Sequence, residues 1–190
     1  MTLRNITIAF TLLSIAGNSP PLMSTTTASD PRLPAFEFVL ESASSAEEAA
    51  NALFIGCATH SPKHFVKHLS LATCEGPVDT LQNFAECMHK TEFRSRGESF
   101  TYYDLPARIR RDTVRVVASR KFDAENAAAA CLHAKYVYYA ETLIAVDVAA
   151  SDSTGRDYQT RIVVAGTKNN WYAVPRVRQS QPLYEIADAM

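Results

Sequence analysis

The last third of the chain, from Lys135 to Arg178, alternates between apolar and polar residues and so constrains the fold most. The alternating runs span 136–139, 144–148, 158–164 and 171–174, and two polar stretches, 151–157 and 166–170, lie between the later ones. Runs with a period of two that are rich in β-branched and aromatic residues and bounded by Gly, Asn, Asp and Ser are typical of strands joined as hairpins. We therefore predict an antiparallel sheet on which the rest of the chain packs.

Three amphipathic helix patterns precede this sheet, between residues 45 and 91. Ser44 or Ser45 forms a capping box with a Glu three residues later, and apolar residues follow at helical spacing as far as Cys57. Ser61-Pro62 begins a second, shorter helix, since Pro is favoured at the first helical position. The third opens at Gly76-Pro77.

Further strands are predicted between the helices and the alternating region. One includes Phe100 and Tyr102 and ends at Leu105-Pro106, because Pro cannot donate to a strand ladder. Another covers residues 114–119. Residues 123–134 allow two interpretations: they begin like a capped helix, but a strand from about 129 to 139 would extend the sheet. We favour the strand.

Helices followed by antiparallel strands predict an α+β fold, with the N-terminal helices packed on one face of a curved antiparallel sheet in a single domain. The composition agrees with a globular protein, because 47% of the residues are hydrophobic and 21% are charged. The formal net charge of −1 argues against nucleic-acid binding, which needs a concentrated positive field.

The N-terminus has the pattern of a signal peptide. Arg4 precedes an apolar run of 11 residues, 6–16, which is too short to span a bilayer. Cleavage is expected before Gly17 or before Ser29. We predict an exported protein, periplasmic or secreted, with no membrane span after cleavage; the alternative is an N-terminal helix buried in the domain.

Four cysteines remain in the predicted mature chain. Their spacings of 17, 13 and 44 residues match no zinc motif. An even number of cysteines in an oxidising compartment favours disulfides, and four allow three connectivities. Cys57 and Cys74 bracket a short helix and could pair, whereas buried free thiols are the alternative. The sequence leaves the connectivity open among all four: Cys57, Cys74, Cys87 and Cys131.

The end of the sheet and the order of the elements resemble a known superfamily. Lys168-Asn169-Asn170-Trp171-Tyr172 looks like the last hairpin of the nuclear-transport-factor-two-like proteins, which include ketosteroid isomerases and polyketide cyclases. The resemblance covers residues 45–178 and implies a cone whose open end is often a small-molecule pocket. On this basis we divide the chain into a signal peptide and irregular lead (1–28), a linker (29–44), a cone-like α+β domain (45–178) and a C-terminal tail with the spacing of a short helix (179–190).

The isomerases of that superfamily use a carboxylate base and an oxyanion hole made of a Tyr and a protonated Asp. Their residues do not transfer directly, since the first helix here contains no Tyr. The carboxylates nearest to plausible pocket positions are Asp104 and Asp147, with Tyr102 or Tyr138 as oxyanion donor. A solvent-facing Asp147 is the alternative.

Aromatic residues on the predicted strands suggest a surface that binds apolar or aromatic molecules. The residues with this predicted role are Tyr136, Tyr138, Trp171 and Tyr172. As cross-strand and core pairs, the same side chains need no function.

Two clusters suggest sites but have simpler interpretations. Arginines recur at Arg108, Arg110, Arg111 and Arg115, and Asp104 and Asp112 offset their charge, so we predict an ion-paired surface. Histidines recur at His60, His64 and His68, but the cap at residue 61 leaves His60 outside the helix. We therefore expect a surface pair, with no metal and no cofactor.

Two functions are consistent with these features. The first is an exported, non-catalytic domain that binds a small apolar ligand or a protein partner, or forms a homodimer, through its concave sheet. The second is a small-molecule isomerase or dehydratase with a carboxylate base in the cone pocket. A cavity that holds both a carboxylate and a Tyr hydroxyl would favour the enzyme.

Overall fold

The computed structural model describes residues 41–69, 80–133, 140–167 and 169–190. The predicted signal peptide, most of the predicted linker, Cys74, Tyr136, Tyr138 and Lys168 lie outside the described residues, as does the side chain of Cys131. Within the described ranges, no helix has the length and apolarity needed to cross a bilayer.

The described elements are helices and strands in the order expected of an α+β domain. The helices are α1 (Ala46–Ala58), α2 (Pro62–Val66), α3 (Thr80–Lys90), α4 (Ala124–His133) and α5 (Gln181–Ala189). The strands are β1 (Phe93–Ser95), β2 (Glu98–Phe100), β3 (Arg115–Lys121), β4 (Thr142–Ser151), β5 (Asp157–Thr167) and β6 (Asn170–Val174). The predicted α+β class is confirmed.

Strand β5 is the centre of the sheet. One of its edges pairs along its whole length with β4, and the other pairs first with β1 and then with β6. The order β2-β1-β5-β4-β3 completes the sheet, and all the pairings are antiparallel. The long β4–β5 hairpin is the one that the alternation of polar and apolar residues predicts.

The N-terminal helices cover one face of this sheet. Their buried residues form one apolar cluster with alternate residues of β4 and β5, including Val146, Val148 and Val164. The capping box at the start of α1 is shared between two serines: Ser45 Oγ accepts from Glu48 N at 3.1 Å, and Ser44 N and Oγ donate to Glu48 Oε2 at 2.9 and 2.7 Å. The pattern of the sequence thus places α1 correctly.

Helices α4 and α5 cover the opposite face, although the sequence pattern predicts the N-terminal helices on one face only. Leu143, Ala145 and Val163 are buried there in a second cluster, against Leu183 and Tyr184 of α5. Both faces of the β4–β5 hairpin are therefore buried. Because a strand buried on both sides has apolar residues in both registers, its alternation cannot reveal which face carries which helices.

Two predictions about secondary structure are wrong. The segment from 124 to 133 is helical, not the start of a strand; Asn126 N donates to Asp123 Oδ1 at 2.7 Å, so Asp123 closes the first turn of α4. Tyr102 lies in a 3₁₀ turn, Tyr102–Asp104, that follows β2. In both places local hydrogen bonds to an Asp side chain stabilise a turn.

The β1–β2 hairpin is a pairing that the sequence analysis misses. Its two-residue turn, Arg96-Gly97, has positive φ at both positions, 52° and 83°, as the preferred twist of a tight hairpin requires. The only indication of this turn in the sequence is the pair Arg96-Gly97, which predicts a hairpin less strongly than Asn-Gly or Asp-Gly does. This hairpin leads directly into the turn at Tyr102.

Candidate ligand-binding groove

A groove of about 730 Å³ lies between the end of α1 and the segment from 102 to 111. We call it the Tyr102 groove. Its walls combine aromatic, aliphatic and cationic side chains: His60, Tyr102, Tyr103, Leu105, Arg108 and Arg111. The volume lies within the range of about 300–1,000 Å³ that is typical of small-molecule sites.

His60 forms one wall because α1 ends abruptly before it. Thr59 Oγ1 donates to Ile55 O at 2.7 Å, and His60 then adopts a left-handed backbone with φ of 51°. Its ring stacks on Phe84 of α3, with centroids 5.4 Å apart and planes 13° apart, and also contacts Tyr102 at 5.3 Å. A left-handed non-glycine residue is uncommon and is held by its surroundings.

The opposite wall begins with the 3₁₀ turn at Tyr102. Thr101 Oγ1 donates to Asp104 Oδ2 at 2.5 Å, which fixes the turn. Tyr103 leaves 62% of its surface exposed and meets Tyr102 edge to face at 5.4 Å. Two adjacent aromatic rings and the His60 ring therefore present an accessible aromatic surface.

The end of this segment is anchored to the sheet. Ile109 is buried and bridges to Asp152, and Arg110 N donates to Ser151 O at 2.9 Å. The residues on either side of the anchor can therefore remain exposed without the segment detaching from the β4–β5 loop.

The arginine cluster is divided by the structure into paired and unpaired members. Arg110 forms an ion pair with Asp112 at 2.5 Å, and Arg115 forms one with Asp157 at 2.6 Å, as the sequence analysis expects. Arg108 and Arg111 make no ion pair with any residue in the part of the chain that the structure describes, and both line the Tyr102 groove. The groove therefore carries two guanidinium groups that form no ion pair with a carboxylate of the described residues.

The pKa of His64 is lowered by its surroundings, which include Arg111 of the groove. Burial lowers its pKa most, and the charges of Arg111, Lys63 and Lys67 lower it further. Its Nδ1 lies 2.8 Å from Ser61 Oγ. His64 is thus neutral at pH 7 and adds no cation to the groove.

The structure separates the two carboxylates that the sequence suggests as bases. Asp104 is exposed, and its carboxylate accepts a hydrogen bond from Thr101 Oγ1. It lies in the same turn as Tyr102 but does not line the groove. Asp147 is 8% exposed and faces α5, with both oxygens bound by Arg161, Nε to Oδ1 at 2.7 Å and Nη2 to Oδ2 at 2.9 Å. Neither carboxylate shares a cavity with Tyr102.

Asp147 does border a smaller recess of about 240 Å³ on the α5 side. Its charged lining residues are three acids and three arginines: Glu92, Asp147, Asp188, Arg94, Arg161 and Arg176. The formal charges cancel, and Arg176 Nη2 is bound to Asp188 at 2.9 Å. This recess is smaller and less complementary to a charged ligand than the Tyr102 groove.

The predicted aromatic surface on the last hairpin is engaged in packing. Trp171 lies across Gly166 so closely that a Cβ at that position would approach its ring to 2.3 Å. The main chain of Trp171 also pairs with Ala43 in both directions. Tyr172 is half-buried and points to the other face of β6, because successive residues of a strand alternate in direction. Tyr136 and Tyr138 lie outside the described residues.

The three histidines do not form the expected surface pair. His68 is only 3% exposed; its Nδ1 donates to Glu41 O at 2.9 Å, and its Nε2 lies 3.4 Å from Glu48 Oε1 without hydrogen-bond alignment. Helix α2 ends at Val66, so His68 is on a turn, not on the helical face of His64. Among the described residues, no three His, Cys, Asp or Glu side chains are grouped so as to hold a metal ion.

The sequence indicates Tyr102 and the arginines as separate candidates, and it does not indicate that they share one site. The adjacent aromatic pair Tyr102-Tyr103 and the cations six and nine residues after Tyr102 were the available signal. His60 comes from another element, and ion pairing could not be resolved from sequence. No family model, no curated protein and no solved structure matches this chain.

Proposed function

We propose that this chain is an exported, non-catalytic binding domain whose ligand is a small planar aromatic molecule with a negative charge. The site is the Tyr102 groove. The observation that carries the proposal is the coincidence of accessible aromatic rings with the guanidinium groups of Arg108 and Arg111, which form no ion pair with the described residues.

The two parts of the groove would recognise different parts of the ligand. Tyr102, Tyr103 and His60 offer ring faces and edges, and aromatic contacts contribute about 0.5–1.5 kcal/mol each beyond the area they bury. Arg108 and Arg111 can bind a carboxylate, sulfonate or phosphate through charge-assisted hydrogen bonds. Because the groove is open to water, the charge contribution weakens with salt.

A small molecule fits this chain better than a second copy of it. Strand β3 ends the described sheet and carries Arg115, Arg120 and Lys121, and cationic residues on an edge strand oppose pairing with another strand. The resemblance to the nuclear-transport-factor-two-like superfamily remains a prediction, and the proposed site lies at the end of α1 instead of on the sheet.

Two fluorescent probes that share one skeleton can test the proposal. Anilinonaphthalene sulfonate is an aromatic anion, and N-phenyl-1-naphthylamine is the same skeleton without the sulfonate. We expect the folded protein to bind the anion about tenfold more tightly at low salt, and to lose this preference near 0.5 M salt, where the screening length falls to about 4 Å.

Variants assign the binding to the groove. Arg108→Ala with Arg111→Ala should weaken binding of the anion about tenfold and leave the neutral probe unaffected. Arg110→Ala with Arg115→Ala removes the same charge from paired positions and is the matched control. Tyr103→Ala, at an exposed position, should weaken both probes. Equal losses in the two arginine double variants, each checked for native near-ultraviolet circular dichroism, would refute the proposal.

A further inference from the structure

We propose that Cys57 and Cys87 form a disulfide that joins α1 to α3. The two sulfur atoms lie 3.6 Å apart, although the residues are 30 positions apart in sequence. Both side chains are 1% exposed and belong to the apolar cluster between the N-terminal helices and the sheet.

The arrangement brings the two thiols together from separate helices that already pack. The sulfur–sulfur bond of a disulfide is about 2.05 Å long, so the two sulfurs must approach each other by about 1.5 Å when the thiols are oxidised. The inferred pair differs from Cys57–Cys74, which the sequence suggested as one possible pair. A Cys57–Cys87 bond would close a loop that contains all of α2 and most of α3.

The surroundings of the pair shift the pKa values of the two thiols in opposite directions. Hydrogen bonding to Cys87 and burial raise the pKa of the Cys57 thiol. Burial opposes ionisation of Cys87 too, but hydrogen bonds from Cys57, Thr91 and the main chain of Arg176, with the charge of Arg176, lower its pKa overall. These shifts belong to the folded chain, so they do not decide which thiol attacks first when the bond forms during folding.

The reaction needs a disulfide as oxidant, such as glutathione disulfide. The thiolate of one of the two cysteines attacks one of its sulfurs, which breaks the sulfur–sulfur bond and releases one glutathione thiolate. The thiolate of the other cysteine then attacks the protein sulfur of the mixed disulfide and releases the second glutathione thiolate. In total, two protein thiols lose two electrons and two protons, and one glutathione disulfide becomes two glutathione thiols.

Burial determines when this exchange takes place. At 1% exposure neither thiol is open to glutathione in the folded chain, so the bond forms during folding. The same burial then protects it from reduction, as is typical of structural disulfides in exported proteins. The bond would also hold α3 in place, and with it Phe84, which stacks on His60 and contacts the ring of Phe65 at a tilt of 56°.

Peptide mapping tests the connectivity directly. The full chain is refolded in a glutathione redox buffer, free thiols are blocked with N-ethylmaleimide in denaturant, and the digest is analysed by mass spectrometry without reduction. We expect one linked peptide pair that contains Cys57 and Cys87, about 2 Da lighter than the sum of the free peptides. Linkage of Cys57 to Cys74 or to Cys131, or maleimide on both Cys57 and Cys87, would overturn the inference.

A second measurement uses the chain with Cys74→Ser and Cys131→Ser, in which only the inferred pair remains. Reductant during refolding should lower its melting temperature by roughly 10 °C, because closing a loop of this length constrains the unfolded chain. A chain with all four cysteines replaced by Ser is the control and should not respond. An unchanged melting temperature in the double variant would also contradict the inferred bond.

Discussion

At the scale of single residues, the partner of a side chain determines its role. Asp147 was a candidate base, and it proves to be the cross-strand partner of Arg161. Arg161 binds both of its oxygens and donates through Nη1 to Ala187 O at 2.7 Å, near the end of α5. This arrangement links two strands and a helix through one guanidinium group.

Replacing Asp147 by Asn should therefore lower stability. The change leaves Arg161, whose side chain is 20% exposed, without its counter-ion, and we expect a loss of about 2–3 kcal/mol in the free energy of unfolding. Urea denaturation followed by circular dichroism measures it. The control is Asp157→Asn, which breaks the exposed pair with Arg115 and should cost less than about 1 kcal/mol. Equal losses in the two variants would mean that Arg161 does not depend on Asp147.

At the scale of elements, close approach of the backbone decides how the N-terminal helices meet. Gly56 lies in the last turn of α1, where a Cβ would come within 2.5 Å of the N and Cα atoms of Phe65 in α2. From sequence, this Gly only indicates a weak end to the first helix. Its structural role becomes visible when α2 is placed against it, because the obstacle is the main chain of another element.

The substitution Gly56→Ala tests that role through the sign of the change in the free energy of unfolding. In an exposed helix the change would stabilise by roughly 0.5–1 kcal/mol through helix propensity. Here the added methyl group must displace the backbone of α2, so we expect a net loss of about 1–3 kcal/mol. Thermal and urea denaturation give the sign. A more stable variant would show that α1 and α2 are not in the close contact described.

At the scale of the whole molecule, α5 completes the fold by covering the second face of the sheet. Tyr184 is 1% exposed; its hydroxyl donates to Val174 O at 2.5 Å and accepts from Val163 N at 3.3 Å. Burial raises the pKa of Tyr184 well above its ordinary value. The last helix is thus bound to the sheet by apolar contacts and by hydrogen bonds to two strands.

A chain that ends at Ser180 should not fold cooperatively. Loss of α5 exposes Leu143, Ala145 and Val163, and burial of a Leu or Val side chain contributes up to about 1.5–3 kcal/mol. We expect a broad thermal transition and self-association in size-exclusion chromatography. The full-length Tyr184→Phe variant is the control; it keeps the helix and should unfold cooperatively with a loss of about 1–2 kcal/mol. A sharp transition in the truncated chain would make α5 dispensable.

The sequence predicted most of the fold and a smaller part of the candidate site. Caps and apolar spacing located α1 and α2, and alternation located the β4–β5 hairpin, since these signals depend on neighbours within a few residues. Asp147 is an example of what the sequence could not show. The alternation of side chains along the strand indicates that Asp147 faces away from Val146 and Val148, but it does not indicate which element covers that face. The Tyr102 groove could not be predicted, because its walls come from the end of α1 and from residues 102–111, which meet only in the folded chain.

The amino-acid sequence by itself determined the α+β class, the order of the principal elements and the ends of α1, because hydrogen bonding and side-chain periodicity are local. Only the tertiary structure decided that both faces of the sheet carry helices, that Cys57 meets Cys87, and that His60 meets Tyr102. The physical reason is that burial, ion pairing and close approach join residues distant in sequence. Their outcome depends on which surfaces meet once the chain is folded.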